Sequence, residues 1–147
     1  MNTPQLPMVA VTDEAAVRGC HSLMQQLRPQ LASADEWVAR WQCQREEGYR
    51  LLARYDGAIP VALAGYRVQH NLVHGRFLYV DDLVTDSARR SGGHGAALLD
   101  RLKQEAVALG CGKLVLDTPL SNALGQRFYF RQGMLSSALR FYSPLTA

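Results

Sequence analysis

The sequence is poor in cysteine, and its three cysteines, Cys20, Cys43 and Cys111, are odd in number and widely spaced. They form no Cys-x-x-Cys pair, so the pattern argues against a disulfide framework and against a zinc-binding cysteine cluster. Free thiols in this pattern are typical of a reducing compartment. We therefore expect a cytoplasmic protein in which each cysteine is a small buried hydrophobic residue.

Long apolar runs are also missing from the sequence. The longest one, Ala58 to Tyr66, is far shorter than the ~20 residues that a membrane-spanning helix needs. The segment from Met1 to Glu14 has no basic stretch followed by an apolar stretch, and we expect no secretory signal. These two absences predict a protein without a membrane partner.

A strong charge imbalance is absent as well, since the formal net charge is only +3. The basic residues are dispersed, with the exception of the adjacent pair Arg89 and Arg90. This distribution argues against a nucleic-acid partner, which would need a basic stripe or patch. A single basic pair suits one small anionic ligand better.

The sequence does contain apolar segments that predict strands and helices, separated by turns. Its length fits one domain, residues 1–147. The order of predicted elements is β-α-α-β-β-β-α-β-α-β. A strand, a crossover helix and a further strand predict a parallel pair beside an antiparallel meander, and thus a mixed α/β sheet. The predicted strands are residues 8–11, 49–55, 59–68, 77–85, 113–117 and one strand or small hairpin within 135–142.

Local signals place the helices and one turn of this pattern. Asp13 predicts the start of a first helix that continues to Pro29. Ser33 with Glu36 three residues later is the pattern of a capping box, which predicts a second helix. The Asp56-Gly57 pair between two β-rich segments predicts a tight hairpin. Two further helices are predicted. One begins at the glycine-rich turn, Arg90 to Gly95, and ends near Leu109, and the other runs from Asn122 to Arg131.

A glycine-rich turn, Arg90 to Gly95, lies directly between a predicted strand and a predicted helix. The first turn of a helix has unpaired backbone N–H groups and carries the positive end of the helix dipole. Glycines allow a phosphate to approach these groups closely, and Arg89 and Arg90 add further charge. The turn therefore predicts a binding site for a pyrophosphate.

Other glycine-rich motifs fit this turn less well. A Walker A loop needs Gly-Lys followed by Ser or Thr, and the turn has no such sequence. A dinucleotide-binding fingerprint needs a third glycine where the sequence has Leu98, and its loop follows the first strand of the domain. A glycine-rich turn without any ligand remains open on spacing alone.

Two motifs together resemble those of the GNAT superfamily of N-acetyltransferases. The first is Arg-x-x-Gly-x-Gly, which here runs from Arg90 to Gly95. The second is Asn-x-x-Ala-x-x-x-Tyr-x-x-x-Gly-Phe, which resembles the segment from Asn122 to Met134, with Gly125 in place of alanine and Met134 in place of phenylalanine. The order of elements is similar over nearly the whole chain.

The resemblance implies the GNAT fold and acetyl-CoA as cosubstrate, with no metal. In this family the strand before the glycine-rich turn is splayed by a bulge, and its backbone groups hold the pantetheine arm and polarise the thioester. On this basis the expected contacts with acetyl-CoA are made by Leu83, Val84, Thr85, Arg89, Arg90, Gly92, Gly93, His94, Gly95, Ala96, Asn122 and Tyr129.

The resemblance also implies the catalytic residues. Tyr129 occupies the general-acid position, where it would protonate the departing thiolate, and the N–H groups of Leu83 and Val84 would stabilise the oxyanion. Asp81 aligns with an acidic residue of many relatives and is the candidate base. Adjacent strand residues point to opposite faces, so we expect only one of Asp81 and Asp82 to face the amine; Asp82 and water remain open as alternatives.

The expected activity is transfer of an acetyl group from acetyl-CoA to a primary amine of a small molecule or a peptide, by direct attack in a ternary complex. A non-catalytic acyl-CoA sensor of the same fold is the alternative, and the presence of Tyr129 argues against it. A homodimer that completes the sheet or the site is a further expectation. The identity of the amine is not encoded in a transferable pattern.

Overall fold

The computed structural model describes residues 5–90 and 92–146. Its strands are β1 (Met8–Val11), β2 (Arg50–Asp56), β3 (Ile59–Asn71), β4 (Gly75–Thr85) and β5 (Lys113–Leu116). Its helices are α1 (Glu14–Gly19), α2 (His21–Leu27), α3 (Ala34–Glu46), α4 (His94–Ala108) and α5 (Ala123–Arg131). A short 3-10 turn, Ser87–Arg89, precedes α4.

The five strands form one sheet in the order β1-β2-β3-β4-β5. The pairs from β1 to β4 are antiparallel, and β5 runs parallel to β4, with α4 as the crossover between them. The mixed α/β sheet that the sequence predicts is thereby confirmed. The predicted hairpin is also present, because β2 ends at Asp56 and Gly57 has a positive φ of 61°.

The pairing of β3 with β4 contains a bulge. Gly65 lies opposite Asp82, whereas Tyr66 lies opposite Val80, so Asp81 is an extra residue in β4. Such a bulge locally bends the strand and interrupts the alternation of side chains between the two faces. Beyond it, β4 remains paired with β3 as far as Thr85.

Helices cover both faces of the sheet. On one face α1, α2 and α3 surround a buried cluster that includes Trp37 and Trp41, with the Trp37 indole donating to the carbonyl of Val17 at 2.9 Å. On the other face α4 packs on β3 and β4 through its four buried residues, Leu98, Leu99, Leu102 and Ala106. The capping signals are confirmed too, since the Ser33 hydroxyl accepts the Glu36 N–H at 3.1 Å.

Three sequence expectations are wrong. The first helix is two helices, because the chain turns tightly at Cys20, whose N–H donates to the carbonyl of Val17 at 2.9 Å. Cys43 is exposed, since it lies outside the face of α3 that contacts the core. Residues 135–142 are described and contain no strand. A strand needs a neighbour to complete its backbone hydrogen bonds, and no described strand pairs with this segment.

The chain divides into two compact units between Val115 and Leu116. The first contains α1 to α4 and most of the sheet, and the second contains α5. In the part of the chain that the structure describes, no helix is long and apolar enough to cross a membrane.

Candidate functional site

The glycine-rich turn presents the N-terminus of α4. Gly93 precedes the helix with φ 70° and ψ 15°, a left-handed conformation that favours glycine. The first bond within the helix runs from the Ala97 N–H to the Gly93 carbonyl at 3.0 Å. The N–H groups of His94, Gly95 and Ala96 therefore have no partner within the helix, and they form a site suited to an anion.

The two arginines before this turn have different surroundings. The guanidinium of Arg89 donates to the carboxylate of Asp56 at 2.6 Å, at the hairpin between β2 and β3. Arg90 is exposed. The positive charge of Arg89, which the sequence assigns to the anion site, is thus already paired with the carboxylate of Asp56.

His94 is the first residue of α4, and its side chain folds back over the turn. A Cβ added at Gly92 would stand 2.6 Å from the Nε2 atom of His94, so glycine at position 92 makes room for the ring. Burial lowers the pKa of His94, and the charges of Arg54 and Arg89 lower it further. These effects favour the neutral imidazole, and its buried Nδ1 has no hydrogen-bond partner among the described residues.

The carboxyl end of β4 extends beyond the neighbouring strand β5. The N–H of Gly112 donates to the carbonyl of Arg76 at 2.9 Å, which places the start of β5 beside the start of β4. β5 has four residues and β4 has eleven. Since the rise per residue is nearly the same in both strands, the four residues of β5 end before the segment from Leu83 to Thr85. On that edge these residues form no ladder with β5.

Asp82 accepts two hydrogen bonds on the face of the sheet that α1 to α3 cover. The Tyr49 hydroxyl donates to its Oδ2 atom at 2.6 Å, and the Nε of Arg28 donates to its Oδ1 atom at 2.9 Å. Arg28 also donates to the backbone carbonyl of Asp81 at 2.9 Å. Burial, followed by the charge of Asp82, raises the pKa of Tyr49 well above its ordinary value, so Tyr49 remains a hydrogen-bond donor at neutral pH.

Asp81 lies on the same face as Asp82, which corrects the expectation that the two carboxylates point to opposite faces. Its Oδ2 atom accepts from the Nε of Arg67 at 3.0 Å, and the Arg67 guanidinium lies 5.8 Å from the centre of the Tyr49 ring. The bulge at Asp81 is the reason, because an extra residue resets the alternation. Burial raises the pKa of Asp81, and the hydrogen bond and charge of Arg67 act in the opposite direction.

In the second unit, Asn122 caps α5. Its Oδ1 atom accepts the Gly125 N–H at 3.0 Å, and its Nδ2 atom donates to Thr118 Oγ1 at 3.1 Å. A Cβ at Gly125 would overlap the Nδ2 atom of Asn122 in this side-chain conformation. Burial raises the pKa of Tyr129, and its ring packs edge-on against that of Phe128, with the two ring centres 5.2 Å apart.

The sequence interpretation missed four residues of this region: Arg28, Tyr49, Arg54 and Arg67. Arg54 alone had a usable signal, since it is a charged residue within the buried segment of β2. Arg28, Tyr49 and Arg67 are recognised only when segments far apart in the chain come together.

In the described part of the chain, no group of three His, Cys, Asp or Glu residues is placed to hold a metal ion.

The chain is similar to known proteins in sequence and in fold. The family model described as acetyltransferase (GNAT) family matches residues 14–134. A relative from Bacillus subtilis, the uncharacterized N-acetyltransferase YhdJ, is 30% identical over 127 residues, which are 85% of this chain and 89% of the relative.

Solved structures have the same fold. The aminoglycoside N-acetyltransferase AAC(6')-Iy in complex with CoA superposes with a TM-score of 0.80 at 15% identity, over 99% of this chain and 100% of that one. The ribosomal-protein-alanine N-acetyltransferase of Brucella melitensis superposes with a TM-score of 0.74 at 17% identity, over 97% and 98% of the two chains.

Proposed function

The chain belongs to the acetyltransferase (GNAT) family, and on this premise we propose that it transfers the acetyl group of acetyl-CoA to the primary amine of a small molecule or a peptide. The amine attacks the thioester directly, with both substrates bound. The observation that carries the proposal is the free N-terminus of α4 behind a glycine turn, in the connection that follows β4.

The pyrophosphate of acetyl-CoA binds at this N-terminus. The N–H groups of His94, Gly95 and Ala96 donate to its oxygens, while Gly92 and Gly93 let it approach and Arg90 adds charge. The pantetheine arm follows the backbone of Leu83 to Thr85, whose edge β5 leaves uncovered, and Asn122 contributes a further contact. A CoA complex among the structures of the same fold supports this assignment.

The chemistry follows from three groups. Asp81 accepts a proton from the amine, directly or through water, and a raised pKa suits a carboxylate to this role. The backbone N–H of Leu83 stabilises the negative charge that develops on the thioester oxygen. The N–H of Val84 faces β3, because N–H groups alternate along a strand and the Asp86 N–H donates to the Val61 carbonyl. The carbon–nitrogen bond forms as the carbon–sulfur bond breaks, and Tyr129 gives its phenolic proton to the departing thiolate.

Binding of acetyl-CoA to the purified protein, measured by titration calorimetry, tests the site. Gly95→Glu places a carboxylate at the second residue of α4 and should weaken binding at least 100-fold through repulsion of the pyrophosphate. Val107→Glu is the matched control, because Val107 is 76% exposed near the other end of the same helix. Its affinity should equal that of the wild type.

Turnover is then measured as release of free CoA thiol with a panel of aminoglycosides, amino sugars and peptide N-termini. The neighbouring structures are named for acceptors as different as aminoglycosides and a ribosomal-protein alanine, so the panel spans both classes. Failure of the wild type to bind acetyl-CoA would overturn the proposal. Tight binding without turnover on any amine would favour the acyl-CoA sensor instead.

A further inference from the structure

Arg54 is a buried cation in β2 that no role described above explains. It is 7% exposed and is the one charged residue among the buried residues that the structure describes. Its Nε atom has no hydrogen-bond partner within the described chain. A buried guanidinium nitrogen without a partner costs folding free energy, so its presence calls for an explanation.

The sheet places Arg54 beside the glycine-rich turn. In the strand register, Arg54 pairs with Ala62, and Ala62 pairs with Thr85, so the three residues form one row across the sheet. Thr85 is the last residue of β4, and the N–H of the next residue, Asp86, donates to the Val61 carbonyl at 2.9 Å. Arg54 therefore lies at the end of the sheet where the chain leaves β4 for the turn.

The side chain of Arg54 lies on the face that α4 covers. Leu51 and Ala53 belong to the cluster beneath α1 to α3, and side chains alternate along a strand, so Leu52 and Arg54 point to the opposite face. The charge of Arg54 also lowers the pKa of His94, the first residue of α4. Arg54 is thus close to the N-terminus of this helix.

This placement is unfavourable without an anion. A helix N-terminus carries a partial positive charge, and Arg89 lies near the same histidine. Arg89 is paired with Asp56, whereas Arg54 has no ion pair in the described part of the chain. A buried charge without a partner costs free energy in the free protein. Binding of an anionic ligand would explain why an arginine is kept at this position.

We propose that Arg54 is an additional cofactor-binding residue, whose guanidinium attracts the pyrophosphate of acetyl-CoA from the sheet side of the turn. The proposal rests on the function proposed above and adds a residue from β2 to a site otherwise built from β4 and α4. In the bound state the pyrophosphate supplies a counter-charge that Arg54 does not find among the described residues.

The test compares Arg54→Met with Arg50→Met by titration calorimetry with CoA and by thermal unfolding without ligand. Arg50 lies on the same strand, four residues before Arg54, so its side chain points to the same face of the sheet. It lies at the other end of the strand, opposite Tyr66, and is exposed. We expect Arg54→Met to raise the Kd for CoA at least tenfold, with an unfolding temperature equal to or above that of the wild type. Arg50→Met should leave the Kd within twofold.

Two further comparisons separate a charge effect from a packing effect. Arg54→Lys keeps the charge and should recover most of the affinity that Arg54→Gln loses; this pair carries the test if the methionine variant does not fold. 3′-Dephospho-CoA should lose affinity for Arg54→Met by the same factor as CoA, because both contain the pyrophosphate. A loss confined to CoA would assign Arg54 to the 3′-phosphate and overturn the proposal.

The remaining outcomes are decisive as well. If the wild type binds CoA and Arg54→Met binds it within twofold, the role of Arg54 is refuted while the proposed function stands. If Arg54→Lys and Arg54→Gln lose affinity equally, the charge is not responsible and the proposal fails. If the wild type does not bind CoA, both proposals fail together.

Discussion

The hydroxyl of Tyr49 occupies the space that a side chain at position 65 would need. A Cβ added at Gly65 would overlap the Tyr49 hydroxyl and would stand 2.8 Å from the Oδ2 atom of Asp82. Glycine at this position in β3 therefore allows Tyr49 to reach Asp82. The resulting hydrogen bond holds the carboxylate that Arg28 also contacts.

Gly65→Ala should lower the free energy of unfolding by about 2–3 kcal/mol, because the new methyl group overpacks a buried site and displaces the Tyr49 hydroxyl from its partner. Urea unfolding measures the change. Gly112→Ala is the matched control, since a Cβ at that position meets no atom within 4 Å, and it should change the stability by less than about 0.5 kcal/mol. Equal stabilities of the two variants would contradict the overlap.

The stability of the protein should decrease at alkaline pH, and Tyr49 should contribute to the decrease. Burial holds the pKa of folded Tyr49 well above 10, whereas the unfolded chain ionises near pH 10. The contribution is fully present below about pH 10 and is lost as the pH rises towards the folded pKa, because the unfolded state then releases the proton more readily.

Urea unfolding between pH 8 and 11 measures this dependence. Tyr49→Phe should flatten the decrease by up to about 1.4 kcal/mol per pH unit above pH 10. Tyr142→Phe is the control, since Tyr142 is 88% exposed, and its profile should parallel that of the wild type. If Tyr49→Phe also parallels the wild type, Tyr49 is not a buried donor in solution.

The elements of the fold are predictable where their signals are local. Ser33 and Glu36 define the start of α3, and Asp56-Gly57 defines the hairpin, because capping and tight turns depend on residues within a few positions. The glycine-rich turn before α4 is predictable for the same reason. In each case the side chain and the backbone group that it satisfies are neighbours in sequence.

The surroundings of the two aspartates could not be predicted in this way. Arg28 and Asp82 are separated by 54 positions, and their contact depends on how α2 packs against the sheet. The family resemblance implies a bulge in β4, but no residue signature places it at Asp81, where it reverses the expected direction of one side chain. Ion pairs of this kind are a property of tertiary packing, which the motif alone does not encode.

The acid limb of the pH–rate profile should report Asp81 if this residue is the base. Burial raises the pKa of Asp81, and the hydrogen bond and charge of Arg67 oppose this rise, so removal of the guanidinium in Arg67→Met should raise the pKa further. The limb of kcat/KM should then move to higher pH by about one unit or more, because a hydrogen-bonded cation shifts a carboxylate by this amount. Initial rates with saturating acetyl-CoA between pH 5 and 9 measure the shift.

Two variants complete this test. Asp81→Asn should reduce kcat/KM by about 10²–10⁴ and abolish the limb. Arg18→Met removes another ion-paired arginine, one bonded to Glu14 and Asp35 at the surface, and should leave the limb in place. An unchanged limb in both Arg67→Met and Asp81→Asn would assign the proton to Asp82 or to water.

Tyr129→Phe tests the proposed general acid most directly. The ring remains in place, so contacts with the pantetheine arm are kept and only the phenolic proton is lost. We expect kcat to fall by about 10²–10⁴ while the Kd for acetyl-CoA stays within about threefold, since the proton matters only as the thiolate departs. An acyl donor with a more acidic thiol leaving group should be affected less, because its thiolate needs less protonation. Equal losses with both donors, or a loss confined to Kd, would restrict Tyr129 to cofactor binding.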